Sequence, residues 1–218
     1  MGTNLSEHFY FLLLLTLFFS FSSSNAQDSW ELKTEKDSIK IYSRKSNSIK
    51  YNELKVELTL KAKLSDIASL ILDINNYYKW SYNTKLSYVL KQVSKNEIYY
   101  YSEVKSPWPA SNRDLIVHLK MIQDPLTKIM TINATSVPNF IPPKKNLVRV
   151  PFSNETWTVI PAIDTNVKIT YFLQIDPGES APAWLINIFA TKAPFESFKN
   201  LSTQVKEHKQ VPIAFIKD

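Results

Sequence analysis

The junction that most constrains this chain is Ser106-Pro107-Trp108-Pro109-Ala110-Ser111-Asn112-Arg113-Asp114, which runs straight into the alternating segment Leu115 to Gln123. Prolines at 107 and 109 fix φ and remove two amide donors, so Trp108 cannot join a regular ladder and packs from an irregular corner. A strand follows. Arg113, Leu115, Val117, Leu119 and Met121 share one face, while Asp114, Ile116, His118, Lys120 and Ile122 share the other, which is expected to face water. A guanidinium pointing the same way as four apolar side chains is either ion-paired or placed to meet a ligand. Both readings stay open for Arg113: a pair with Glu103 on the preceding strand, or an anchor for a polar headgroup. Asp114, alternating outward, is expected to fix the Trp108 loop.

Period-2 patterns recur along the chain. Trp30 to Leu32 and Ile39 to Tyr42 open it, and Leu54, Val56, Leu58 and Leu60 alternate against Lys55, Glu57, Thr59 and Lys61. Further strands are expected over 86–93, 97–105, 113–123, 128–137, 147–160 and 167–176, joined by short turns as an antiparallel meander. Two helices interrupt them. Leu64 to about Ile74 has Ser65 as its expected N-cap, and Pro182 to about His208 carries Trp184, Leu185, Ile188, Phe189, Phe195, Phe198, Leu201 and Val205 at helical spacing. Pro194 is expected to kink that helix. The economical packing is an α+β fold in which a curved antiparallel sheet wraps around the long C-terminal helix. Periodicity leaves open whether the enclosed space is filled or hollow, and the tyrosines at 99, 100, 101 and 171 with Trp157 and Trp184 can serve as core or as cage.

Several chemistries are excluded by composition. The chain has no cysteine and only two glycines, Gly2 and Gly178, so disulfides, thiol nucleophiles, Cys-based zinc sites, dinucleotide and phosphate loops and the nucleophile elbow are all missing. His8, His118 and His208 have no spaced metal partners, and neither a metal nor a cofactor is implied. Phe9 to Phe21, followed by Ser22-Ser23-Ser24-Asn25-Ala26, has the build of an export signal cleaved before Gln27. Its first eight residues hold no Lys or Arg, which leaves an uncleaved membrane anchor as the alternative. Removing residues 1–26 leaves 192 of 218 residues, one domain's length, with 26 basic and 19 acidic side chains and a formal charge of +7. The charges intersperse without a block of one sign, which argues against a nucleic-acid surface. Outside the signal segment, sequons stand at Asn133, Asn154 and Asn200.

Trp108-Pro109-x-x-x-Arg113-Asp114 and Pro182-x-Trp184-Leu185-x-Asn187, in that order and at that distance, resemble the START family of lipid-binding domains. The resemblance spans nearly all of the chain after residue 30 and implies a helix-grip fold over residues 27–218, in an exported, bacterial-type, single-domain protein. It implies a monomeric, non-enzymatic binder of a lipid or other hydrophobic molecule, in periplasm or outside the cell, with transient membrane contact. The binding residues expected between sheet and helix are Arg113, Glu103, Tyr101, Leu119, Met121, Tyr171, Trp184, Asn187 and Ile188. The alternative is a helix-grip enzyme, cyclase- or hydrolase-like, using a cavity Glu or Tyr as acid or base.

Overall fold

A computed structural model describes residues 30–178, 181–208 and 211–218; the expected signal segment lies outside them. Ten strands form a single sheet: β1 Glu31–Lys36, β2 Ile39–Arg44, β3 Glu53–Lys61, β4 Thr84–Ser94, β5 Glu97–Val104, β6 Arg113–Gln123, β7 Met130–Ser136, β8 Val148–Arg149, β9 Phe152–Ala162 and β10 Asn166–Asp176. The order is β1-β2-β3-β10-β9-β7-β6-β5-β4, antiparallel throughout except for the two-residue β8, which pairs parallel with β6. A pure meander does not occur. After β3 the chain crosses by helix α1, Leu64–Leu72, to the far edge and then winds back strand by strand until β10 closes on β3.

Local chemistry sets the ends of α1. Its N-cap is Lys63, whose N–H donates to the Asp66 carboxylate at 2.9 Å, and not Ser65. Ser65 lies inside the first turn, where its N–H and hydroxyl donate to the Asp218 carboxylate at 2.9 and 2.8 Å. The last residue of the chain therefore satisfies donors at the first turn of the helix. Beyond Leu72 a 3₁₀ turn, Ile74–Lys79, carries Tyr77 and, at its end, Trp80 into the core.

The expected strand 147–160 is broken. Val150 and Pro151 separate β8 from β9, and Gly178 explains part of the interruption: its φ is +74°, and a Cβ there would meet the Arg149 carbonyl at 3.0 Å and Pro151 Cδ at 3.1 Å. Only glycine lets the chain pass this close on its way to the C-terminal helix. That helix is composite: α2 Ala183–Asn187, a π-turn Ile188–Lys192 and α3 Ala193–Glu207. Pro194 has no N–H to return to the Ala190 carbonyl and its ring crowds that oxygen, so the preceding turn widens and Ala193 N–H reaches Ile188 O, five residues back. A widened turn takes the place of the expected kink.

Sheet and helix enclose one contiguous apolar cluster, in which Ile39, Val56, Leu119, Met121, Ile132 and Ile169 meet Phe198, Leu201 and Val205 of α3. Part of the outer face of β4–β6 is covered too, by the loop 137–147. Phe140 stacks on Tyr99 with centroids 4.6 Å apart, and Lys144 Nζ sits 3.6 Å from the Tyr101 ring centre. Arg149 ties this loop down: it grips Asp114 bidentately, Nε to Oδ1 at 2.8 Å and Nη2 to Oδ2 at 3.0 Å, and donates to the carbonyls of Pro138, Ile141 and Pro142. Asp114 is fully buried and holds the 137–147 loop, so its expected role at the Trp108 loop is corrected.

Candidate functional site

A cavity of about 180 Å³ lies between the concave face of the sheet and the C-terminal helix. Its wall is largely aromatic: Tyr77 and Trp80 from the 3₁₀ turn and its end, Tyr100 from β5, Trp157 from β9, Tyr171 from β10 and Phe198 from α3. These rings brace each other edge-on, with Tyr77–Trp80 centroids at 4.9 Å, Tyr77–Tyr100 at 5.5 Å and Trp157–Tyr171 at 4.8 Å. Offset and edge-to-face packing of this kind braces the wall, and the Tyr77 hydroxyl adds a bond to the Ile71 carbonyl at 2.6 Å. Among the described residues two charged side chains, Arg113 and Glu155, line it.

Arg113 enters from the start of β6 and is 4% exposed. Its Nη1 donates to Ser106 Oγ at 3.3 Å and to the Ser111 carbonyl, so the proline-bounded loop holds the guanidinium at the cavity wall. Glu103 is on the opposite face. It stands across from Asp114 in the β5–β6 register and takes Lys85 Nζ at 2.8 Å and Asn112 Nδ2 at 3.2 Å, so the expected pair with Arg113 is replaced by one with Lys85.

Glu155 is the group that the sequence reading missed. On β9 it shares a face with Ser153, Trp157 and Val159, all buried. Burial raises its carboxyl from the ordinary 4.5 to about 7, against a smaller opposing effect from the hydrogen bond with the Tyr171 hydroxyl. The phenols of Tyr77, Tyr100 and Tyr171 are pushed well above 10, first by the same burial, so they stay neutral donors. A cavity that is apolar, aromatic and supplied with one neutral-or-charged carboxyl can recognise a single polar group on an otherwise hydrophobic molecule.

The sequence-predicted site residues separate into four groups. Arg113 and Tyr171 line the cavity. Trp184 lines a shallow cleft next to it with Pro109 and Arg113, and Asn187 lines a further chamber at the start of the helix. Leu119 and Met121 are buried core on the correct face, and Ile188 begins the π-turn. Tyr101 and Glu103 point away: Tyr100, Ser102 and Val104 face the cavity, so Tyr101 and Glu103 belong to the face under the 137–147 loop.

One other constellation has the look of chemistry. Ser69 Oγ lies 3.1 Å from His208 Nε2, and His208 Nδ1 lies 3.7 Å from Asp73 Oδ2, the order of a Ser-His-Asp relay. Its geometry is that of a clamp. Ser69 is 3% exposed inside α1 and its Oγ accepts the Val211 N–H at 3.0 Å, so the group fastens the tail after α3 onto α1. Among the described residues no cluster of three His, Asp or Glu side chains could hold a metal ion.

The sequence model of the START domain matches residues 23–211, so the chain belongs to the START family. It is 30% identical to the phosphatidylcholine transfer protein of Rattus norvegicus over 175 residues, 78% of this chain and 79% of that protein. An uncharacterized protein of Pseudomonas aeruginosa is 26% identical over 201 residues, covering 89% of this chain and 96% of its own length. Among solved structures, a STAR-related lipid transfer protein fragment from Xanthomonas axonopodis superposes with a TM-score of 0.75 at 31% identity, over 82% of this chain and 99% of that one. The fold is the START fold: a large antiparallel sheet with a C-terminal helix.

Proposed function

We propose that this START-family protein binds one molecule of a lipid or similar hydrophobic compound between the sheet and the C-terminal helix, and carries or senses it without altering it covalently. The observation that carries this reading is the cavity wall, eight aromatic rings among the described residues, with Arg113 and Glu155 at the positions where a polar group of the ligand would sit. Affinity comes mainly from apolar burial, at about 25 cal/mol per Å². A membrane-docking rim accompanies it: Trp108, 92% exposed on its proline-bounded loop and so not packed against the fold as its sequence setting suggested, and Trp184, 38% exposed, lie at the loop and helix beside Arg113 and suit brief contact with a bilayer interface. The reading is of a monomer. The test is mass spectrometry of organic extracts from natively purified protein, followed by titration with the compound found. The expected result is one-to-one saturation and loss of at least tenfold in affinity on Trp157→Ala; a full lipid panel that fails to bind sinks the proposal.

Export completes the proposal. The segment Phe9 to Ala26 directs the chain out of the cytoplasm and is removed before Gln27. Intact-mass measurement on protein from the periplasmic or extracellular fraction is expected to show a chain beginning at Gln27. Full-length chain found in the membrane fraction would establish the uncleaved anchor instead.

A further inference from the structure

Beside the main cavity lies a second chamber of about 220 Å³, walled by residues of the β2–β3 connection, among them Tyr51 and Asn52, and by Ile186, Asn187 and Ala190 of the helix. Three residues, Ile175, Pro177 and Phe189, belong to the walls of both chambers. Ile175 is held in the β10–β9 ladder opposite Ser153, and Pro177 has a fixed φ, so neither can yield without disturbing the sheet end. Phe189 differs from them. It is half-buried on the π-turn Ile188–Lys192, between a five-residue α2 and Pro194. Moving the extra residue of a π-turn along the helix re-aims a side chain by on the order of 100°, the angle between successive residues.

We propose that Phe189 is a movable partition between the two chambers and that it sets the length of hydrocarbon chain this protein accepts, an inference that rests on the ligand-binding reading above. Closed, it confines a ligand to the first chamber. The first chamber's roughly 180 Å³ is below the 300–1,000 Å³ usual for ligand pockets, so a long chain fits only by displacing Phe189 into the space it now closes and entering the second. The ring contributes as a wedge and makes no polar bond, so its removal changes room and leaves the headgroup chemistry of Arg113 and Glu155 as it is.

The test uses a series of 1-alkanols from octanol to hexadecanol, competing with an environment-sensitive dye, against the wild type, Phe189→Ala and Phe189→Trp. Each added methylene that finds apolar surroundings is expected to tighten binding about fourfold. The gain is expected to level off at one chain length in the wild type, at a longer one in Phe189→Ala and at a shorter one in Phe189→Trp. Adding Ala190→Phe, which fills only the second chamber, to Phe189→Ala is expected to return the break to the wild-type length. The same break in all four proteins overturns the partition while leaving the cavity reading intact. Absence of binding by any alkanol to wild-type protein with a cooperative unfolding transition overturns both.

Discussion

Arg149→Met is expected to destabilise the fold by about 3–5 kcal/mol, the cost of leaving a buried carboxylate without its partner. Asp114 has no exposed surface, and Arg149 spends all five of its N–H donors on two carboxylate oxygens and three loop carbonyls. Removing the guanidinium therefore orphans Asp114 and frees the 137–147 loop from the outer face together. Urea denaturation of wild type and mutant at neutral pH reads the difference directly. Asp114→Leu combined with Arg149→Met should recover most of the loss, because an apolar pair of similar volume does not bear the desolvation of two charges. A single mutant within 1 kcal/mol of wild type would mean that water reaches Asp114, and that the loop is not a structural cover.

Asp114 also marks where reading by alternation stops. The bounds of β6 and its inward face are those expected, because Leu115, Val117, Leu119 and Met121 put an apolar side chain at every second position. The outward face was expected to be wet, and for Lys120 and Ile122 it is. For Asp114 and Ile116 it is buried by the loop 137–147, whose prolines and lysines carry no period and so announce no packing partner. Tyr99-Tyr100-Tyr101 poses a different problem: three equal residues have no alternation, and only the register with β6 shows that Tyr100 faces the cavity while Tyr101 lies under Lys144. The return of β10 to β3 was hidden for a third reason, since pairing between strands a hundred residues apart is decided by closure of the sheet and not by either strand's composition. Glu155 was legible. It stands on an apolar face between Ser153 and Trp157, the same anomaly that drew attention to Arg113.

Glu155→Gln is expected to make the protein more stable above neutral pH and to leave it unchanged in acid. The carboxyl titrates near 4.5 in an unfolded chain and is raised to about 7 in the fold, chiefly by burial. Below about pH 4 both states hold the proton, and burial of the neutral acid adds no pH-dependent cost. Between the two values the unfolded chain has lost its proton and the folded one has kept it, so stability falls as pH rises, by up to about 1.4 kcal/mol per unit. Above the folded value the loss is complete, on the order of 3 kcal/mol, from a shift of 4.5 to about 7. Glutamine has the same shape, can still accept the Tyr171 hydroxyl and cannot ionise. Denaturation midpoints measured for both proteins from pH 4 to pH 8.5 should therefore coincide at the acid end and diverge in favour of the mutant through pH 7, with every other titrating group common to both and cancelling in the difference. Parallel curves would place Glu155 in contact with bulk water. A divergence that vanishes when the cavity is loaded with ligand would instead show the ligand's polar group compensating the ionised carboxylate, and so locate that group at Glu155.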